Sequence, residues 1–331
     1  MQAILAVTFP FFALVLLGYL AAQRKALPES AIPGLNIFVL FFALPCMLFR
    51  FGASMPLAKL IDPALIAIYT ACALLMVVFS VALTLKRSAQ DSGVPMKDAA
   101  FGALVAAFPN AGFMGFPLLV GLLGEAAAGP LIGSILVDIV ITSSLCLALS
   151  QWHPADDTTP HDSVAASIGR ALRGAVSNPL PWAIALGALV AASGVVLPNP
   201  LAQIIRMLGD AATPVALFTI GAVLWRAGQH AHTATPVSGY LPIALVKLLI
   251  HPLLVLSAGV VAKALGATVS TFGLLVLVLT AALPSASNVS LLAERHGADN
   301  GRIARIIMAS TALAFASFSL IAWALGAGLD K

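Results

Sequence analysis

Charge is what this 331-residue sequence has least of. Asp, Glu, Lys and Arg make up 9% of it, against about 25% in an ordinary soluble domain, and that excludes a soluble globular enzyme. Cysteine is nearly absent. Cys46, Cys72 and Cys146 all fall inside apolar runs, at spacings that fit neither a zinc site nor a disulfide framework, so they read as inert packing residues. No G-x-x-x-x-G-K-[ST] sequence is present, which argues against an ATP-driven pump. Lys and Arg stand as scattered singles and pairs without interleaved aromatics, so nucleic acid is not an expected partner.

Hydrophobic residues make up 60% of the chain and run along its whole length. That is more apolar surface than one core can hide, so the bilayer must solvate much of it. Stretches of about 20 apolar residues mark ten spans, near 3–22, 33–51, 63–85, 98–124, 129–151, 179–197, 200–224, 239–262, 270–294 and 302–327. The N-terminus lacks a basic n-region and its first stretch is long enough to span, so a retained helix is expected in place of a cleaved leader. With the N-terminus outside, one set of loops collects Arg24, Lys25, Lys86, Arg87, Lys97, Arg170, Arg173, Arg226, Arg295, Arg302 and Arg305, and the other only Lys59, Lys263 and Lys331. Arg50, Arg206 and Lys247 are ambiguous in depth. The positive-inside rule then predicts that both termini lie outside the cytoplasm. The polar segment WHPADDTTPHDS at 152–163 becomes a flexible cytoplasmic linker.

The segment ALPCMLFRFGA at 43–53 returns as ATPVALFTIGA at 212–222, an offset of 169 residues, and Leu17-Gly18 meets Leu186-Gly187 at the same offset. At an offset of 175, AAFPNAG (106–112) meets AALPSAS (281–287). The second half therefore repeats the first: 1–151 and 179–331 are two five-helix repeats joined by a linker at 152–178. Five is odd, so the copies must lie in opposite directions across the bilayer, the arrangement of secondary transporters. The expected fold is all-α, ten transmembrane helices in two inverted repeats, with the fourth and ninth spans broken at Pro109, Gly112, Gly115 and Pro117 and at Pro284.

Broken helices can aim positive N-terminal ends and free backbone N–H groups at one anion near the midplane. Around the breaks stand Asn110 and Gly112, then Ser285, Ser287, Asn288 and Ser290, which supply neutral donors that suit an anion that must also leave. The blander reading is that these residues only satisfy backbone groups freed by Pro109 and Pro284. The same device in both halves favours a binding site. Asp138 forms a polar stripe with Ser134 and Thr142, and Lys247 lies one turn from His251, so Asp138 and Lys247 are expected to pair, as a structural lock or a coupling site. The remaining histidines, His153, His161, His230, His232 and His296, read as solvated positions and not as metal ligands. Glu125 and Glu294 read as charges at helix ends, and Arg302 with Arg305 as anchors to anionic lipid.

FPNAGFMGFPL at 108–118 and LPSASNVSLLAERHGAD at 283–299, with ten spans and a mid-chain loop, resemble the auxin efflux carrier family over nearly the whole chain. The resemblance implies a scaffold of spans 1, 2, 6 and 7, a moving domain of spans 3–5 and 8–10, and a crossing point at Pro109-Asn110 with Pro284 through Asn288. It also implies an organic acid as substrate: plant members export an indole carboxylate, and bacterial members are linked to malonate and malate. The short linker and Ala-rich composition favour the bacterial kind. In the related antiporter and bile-acid symporter folds an Asp and a Lys pair at places comparable to Asp138 and Lys247.

The expected function is thus transport of a small organic anion by alternating access, without metal or cofactor and with Na+ or H+ as candidate coupling ions. Partners are that anion and the bilayer, and a second copy joining through the scaffold helices is left open. The rivals are a sodium-coupled symporter using unwound carbonyls with Asn288 and Ser285, an aromatic-acid exporter, a passive channel, and an intramembrane hydrolase at Ser285 or Ser287. The last lacks a base within its motif.

Overall fold

Long apolar stretches can enter a bilayer only where every backbone N–H and C=O is satisfied within the segment, and helices are how this chain does it. A computed structural model describes residues 2–54, 62–88, 94–151, 179–229 and 235–327. The linker, with His153 and His161, and the pair His230 and His232 lie outside the described residues.

Twelve helices follow in order among the described residues: α1 Gln2–Gln23, α2 Ala31–Ser54, α3 Pro63–Ser88, α4 Met96–Ala107, α5 Ala111–Leu123, α6 Glu125–Ser150, α7 Pro179–Ser193, α8 Asn199–Gln229, α9 Val237–Ala264, α10 Thr271–Ala281, α11 Asn288–Arg295 and α12 Asn300–Ala324. Seven of them, α1, α2, α3, α6, α8, α9 and α12, are long and apolar enough to cross a membrane, while α5, α7 and α10 are shorter apolar helices. The chain is a multi-pass, all-helical membrane protein. The sixth span, drawn to residue 197, stops at Ser193 because Gly194 takes φ +67°. The seventh is longer than drawn, 31 residues with Pro214 inside. Four helices each carry one π turn, at Val39–Ala43, Ala111–Gly115, Asp138–Thr142 and Val246–Ile250.

Packing follows the small residues that the repeat brought out. α1 lies along α8 and α7 along α2. A Cβ added at Gly18 would run into the carbonyl of Phe218, and one at Gly221 into that of Val15. Across the second pair, a Cβ at Gly187 would strike the carbonyl of Phe49, and one at Gly52 that of Ile184. Every residue of the first set stands 169 positions from a residue of the second. Glycine here lets two backbones touch, the packing that holds helices together where lipid is as apolar as leucine.

Arg302 is no lipid anchor. It is 7% exposed, and its guanidinium donates from Nε to Gly239 O (2.9 Å), from Nη1 to Asp98 O (3.3 Å) and from Nη2 to Thr84 Oγ1 (3.3 Å). Asp98 in turn accepts the N–H of Asp299 at 2.7 Å, and Asp299 caps α12 by accepting from the N–H of Arg302 at 3.0 Å. A charge at a helix end was read as a headgroup contact. Instead, three elements, α3, α4 and α9, converge on this residue of α12 and supply its oxygen acceptors. Arg305 likewise donates to Thr235 O at 2.9 Å.

Candidate functional site

Proline supplies no N–H and pushes the residue before it out of the helical region, so α4 ends at Ala107 with Phe108 extended at φ −100°, ψ 99°. The same chemistry at Pro284 ends α10 at Ala281 and delays α11 to Asn288. Backbone groups freed in lipid cost several kcal/mol each if left alone. The two breaks satisfy one another. Asn110 N–H donates to Pro284 O at 2.8 Å and Ala286 N–H to Phe108 O at 3.0 Å, which sets Pro109 opposite Ser285 as a single antiparallel bridge. The Asn110 carbonyl accepts from Met114 and Gly115, starting α5, and Ser285 N–H donates to Ser310 Oγ of α12 at 3.2 Å.

Against this junction lies a cavity of about 240 Å³. Asn110, Gly112 and Asn288 line it together with Ser143 and Ser144 of α6, within a wall that includes Leu40, Leu44, Phe113, Ile139 and Leu180. None of its lining residues is charged. Ser143 Oγ donates to Asp138 O and Ser144 Oγ to Val140 O, so both hydroxyls retain acceptor capacity only. Of the residues proposed for substrate, Asn110, Gly112 and Asn288 share this chamber. Ser285 and Ser287 do not line it. Ser285 Oγ is buried without a hydrogen-bond partner, and Ser290 Oγ is bonded to Asn300 at 2.7 Å.

Ser143 and Ser144 are not among the residues that the sequence singles out. Their signal was present, since they continue the polar run begun at Thr142, but the π turn at Asp138–Thr142 shifts which face they present. Three of the four π turns contribute lining residues: Leu40, Gly112 with Phe113, and Ile139.

Asp138 and Lys247 are both fully buried, yet they do not form the expected ion pair. An ion pair does form elsewhere, between Arg50 and Asp210. Asp138 accepts from Tyr69 Oη at 3.0 Å and from Thr142 Oγ1 at 3.3 Å. Lys247 Nζ donates to Ala281 O at 2.6 Å and meets His251 Nδ1 at 3.1 Å. The reason is the break itself: α10 ends in unsatisfied carbonyls at the negative end of its dipole, and the ammonium caps them. Tyr69 joins the two groups into one buried cluster, its ring centroid 6.0 Å from that of His251. Glu125 begins the 3-10 turn that opens α6 and Glu294 is exposed near the end of α11, both at helix ends.

Residues 3–323 match the family described as "Membrane transport protein". The chain belongs to that family. Within it, the chain is 29% identical over 330 residues to the "Putative malonate transporter" of Rhizobium meliloti (strain 1021), covering 99% of this chain and 98% of that one. It is 30% identical over 314 residues to an "Uncharacterized transporter" of Methanothermobacter thermautotrophicus, covering 93% of each. With the "Uncharacterized transporter YfdV" of Escherichia coli (strain K12) it shares 26% over 297 residues, 86% of each chain. Membership in the membrane transport protein family agrees with the auxin efflux carrier resemblance, makes the chain a membrane transporter, and removes the hydrolase reading of Ser285 and Ser287.

Proposed function

We propose that the chain carries a small organic carboxylate of the malonate or malate class across the bacterial inner membrane, by alternating access around the junction of the two breaks. One observation carries this reading: two asparagines, Asn110 and Asn288, line one cavity without charged lining residues at the point where α5 and α11 both begin. The N-terminal ends of those helices favour an anion by about 0.3–1 kcal/mol each, and about 2 kcal/mol when partly buried. That is too little to offset desolvation of a carboxylate, so the amide donors must supply the rest. At about 240 Å³ the chamber falls below the roughly 300–1,000 Å³ of sites for drug-sized ligands, which favours a few-carbon acid over an aromatic one. The name of the Rhizobium relative points to that acid class.

The paired glycine contacts, repeated at an offset of 169, support two inverted five-helix repeats, 1–151 and 179–331. On that division α1, α2, α7 and α8 form the scaffold. The moving body is α3–α6 with α9–α12, which Arg302 and the α4/α10 junction tie together, and the two broken spans are its crossover helices. Sodium coupling through Ser285 and Asn288 acting together draws no support from the geometry, because Ser285 is outside the chamber that Asn288 lines.

The test is uptake of radiolabelled mono- and dicarboxylates into proteoliposomes. Saturable, counterflow-competent uptake of malonate or malate, with KM raised about 10- to 100-fold in Asn110→Ala and unaffected by replacing sodium with choline, is the expected result. Indifference to every acid contradicts the substrate class, and linear, unsaturable flux contradicts a carrier.

A further inference from the structure

A second cavity, about 500 Å³, opens between α1, α2, α5 and α8 and shares no lining residue with the first. The two chambers succeed one another along the same helices. On α2, Leu40 and Leu44 face the first and Met47, Arg50 and Phe51 the second; on α5, Gly112 and Phe113 face the first and Phe116 the second. Four residues of helix separate Gly112 from Phe116, about 6 Å of rise.

Arg50 is the cation of this second chamber. Its Nη1 donates to Asp210 Oδ1 at 2.6 Å, with the two side chains 44% and 62% exposed. One nitrogen meets one oxygen, so the paired donor edge of the guanidinium, the part that matches a carboxylate in two parallel bonds, is unused. Exposed pairs of this kind contribute little and exchange readily. The other charges near it are Glu125, at the start of α6 on the same chamber, and Arg206, exposed one turn before Asp210 on α8. Arg206 is not among the lining residues, so the chamber itself holds one cation against two carboxylates, and Asp210 must leave the guanidinium before an anion is received there. α1 and α5 bring no charged residue to the chamber.

We infer that this chamber is the carboxylate-binding vestibule on the face of the membrane opposite the first cavity, with Arg50 receiving the acid by bidentate hydrogen bonds in exchange for Asp210. The inference rests on the carboxylate reading above and adds a residue and a face to it. Asp210 acts as an internal stand-in for the ligand: it holds the guanidinium in place while the vestibule is empty and competes with the acid when it arrives. Removing Arg50 therefore weakens binding from that face, and removing the negative charge of Asp210 strengthens it. A gain of affinity is something misfolding cannot mimic.

Intact cells and inverted membrane vesicles present the two faces separately, and radiolabelled malonate and malate are the probes. Arg50→Gln is expected to raise KM about tenfold or more on one face and by less than about twofold on the other, Arg50→Lys to fall between, and Asp210→Asn to lower KM severalfold on the affected face. Reconstitution in phosphatidylcholine alone and with phosphatidylglycerol separates a free acid from a lipid headgroup: dependence on Arg50 that survives without anionic lipid supports the inference, and dependence that disappears overturns it. If Asn110→Ala raises KM while Arg50→Gln and Asp210→Asn keep the parent KM on both faces, the inference fails and the junction site stands. If the parent chain moves neither acid, both fail together.

Discussion

Asn110 divides its work between two groups. The backbone closes the bridge to Pro284, while the side chain takes no part in that bridge and belongs to a residue that lines the cavity. Asn110→Ala removes only the second, so the protein should keep its unfolding temperature while KM for the acid rises about 10- to 100-fold, the range that one hydrogen bond to a charged group supports. Uptake kinetics and thermal unfolding in detergent check the two halves of that statement. Arg302 makes the opposite case. Arg302→Met leaves Gly239 O, Asp98 O and Thr84 Oγ1 without their donor, and a loss of about 2–5 kcal/mol is expected in thermal or denaturant unfolding. Exchanging Asp138 and Lys247 should not restore what either single change loses, because the two groups bond to Tyr69 and Ala281 O and not to each other. Stability of the double variant at the parent level would contradict this.

Among the elements, the glycine pairs bear the closest packing. Gly18→Ala and its mate Gly187→Ala should each destabilise by about 1–3 kcal/mol, since each drives a methyl group into a carbonyl of the neighbouring helix; unfolding of the two variants in detergent measures it, and wild-type stability in both contradicts it. The breaks were legible in the sequence because proline and its neighbours act locally: Pro109 and Pro284, each beside a polar or small residue, stand where the helices end, whereas Pro214 is carried inside α8. The close glycine contacts were legible because self-comparison at an offset of 169 residues already aligns Gly18 with Gly187 and Gly52 with Gly221. What was hidden depends on distance and side-chain direction. Ser143 and Ser144 reach the cavity through a π turn that no periodicity of 3.6 foretells. Lys247 chose a helix end that exists only once α10 has stopped. Arg302 looked like an anchor because its acceptors come from residues as far as 218 positions away.

For the whole molecule, the junction is a place where two breaks are tied by backbone hydrogen bonds while Asn110 and Asn288 line a cavity. Two breaks that bond to each other hold their position without help from a ligand, and that leaves Asn110 and Asn288 available to one. Two chambers follow one another along α2 and α5, the first of them lined by the junction, and this order supports the proposed alternating access. The most direct measurement is a cryo-electron-microscopy map of the protein in lipid with saturating malonate. The account expects ligand density within hydrogen-bond reach of the Asn110 and Asn288 side chains, with both breaks unwound and bridged. Malonate seated elsewhere while these amides face only solvent or lipid, or either break closed into a continuous helix, would contradict it.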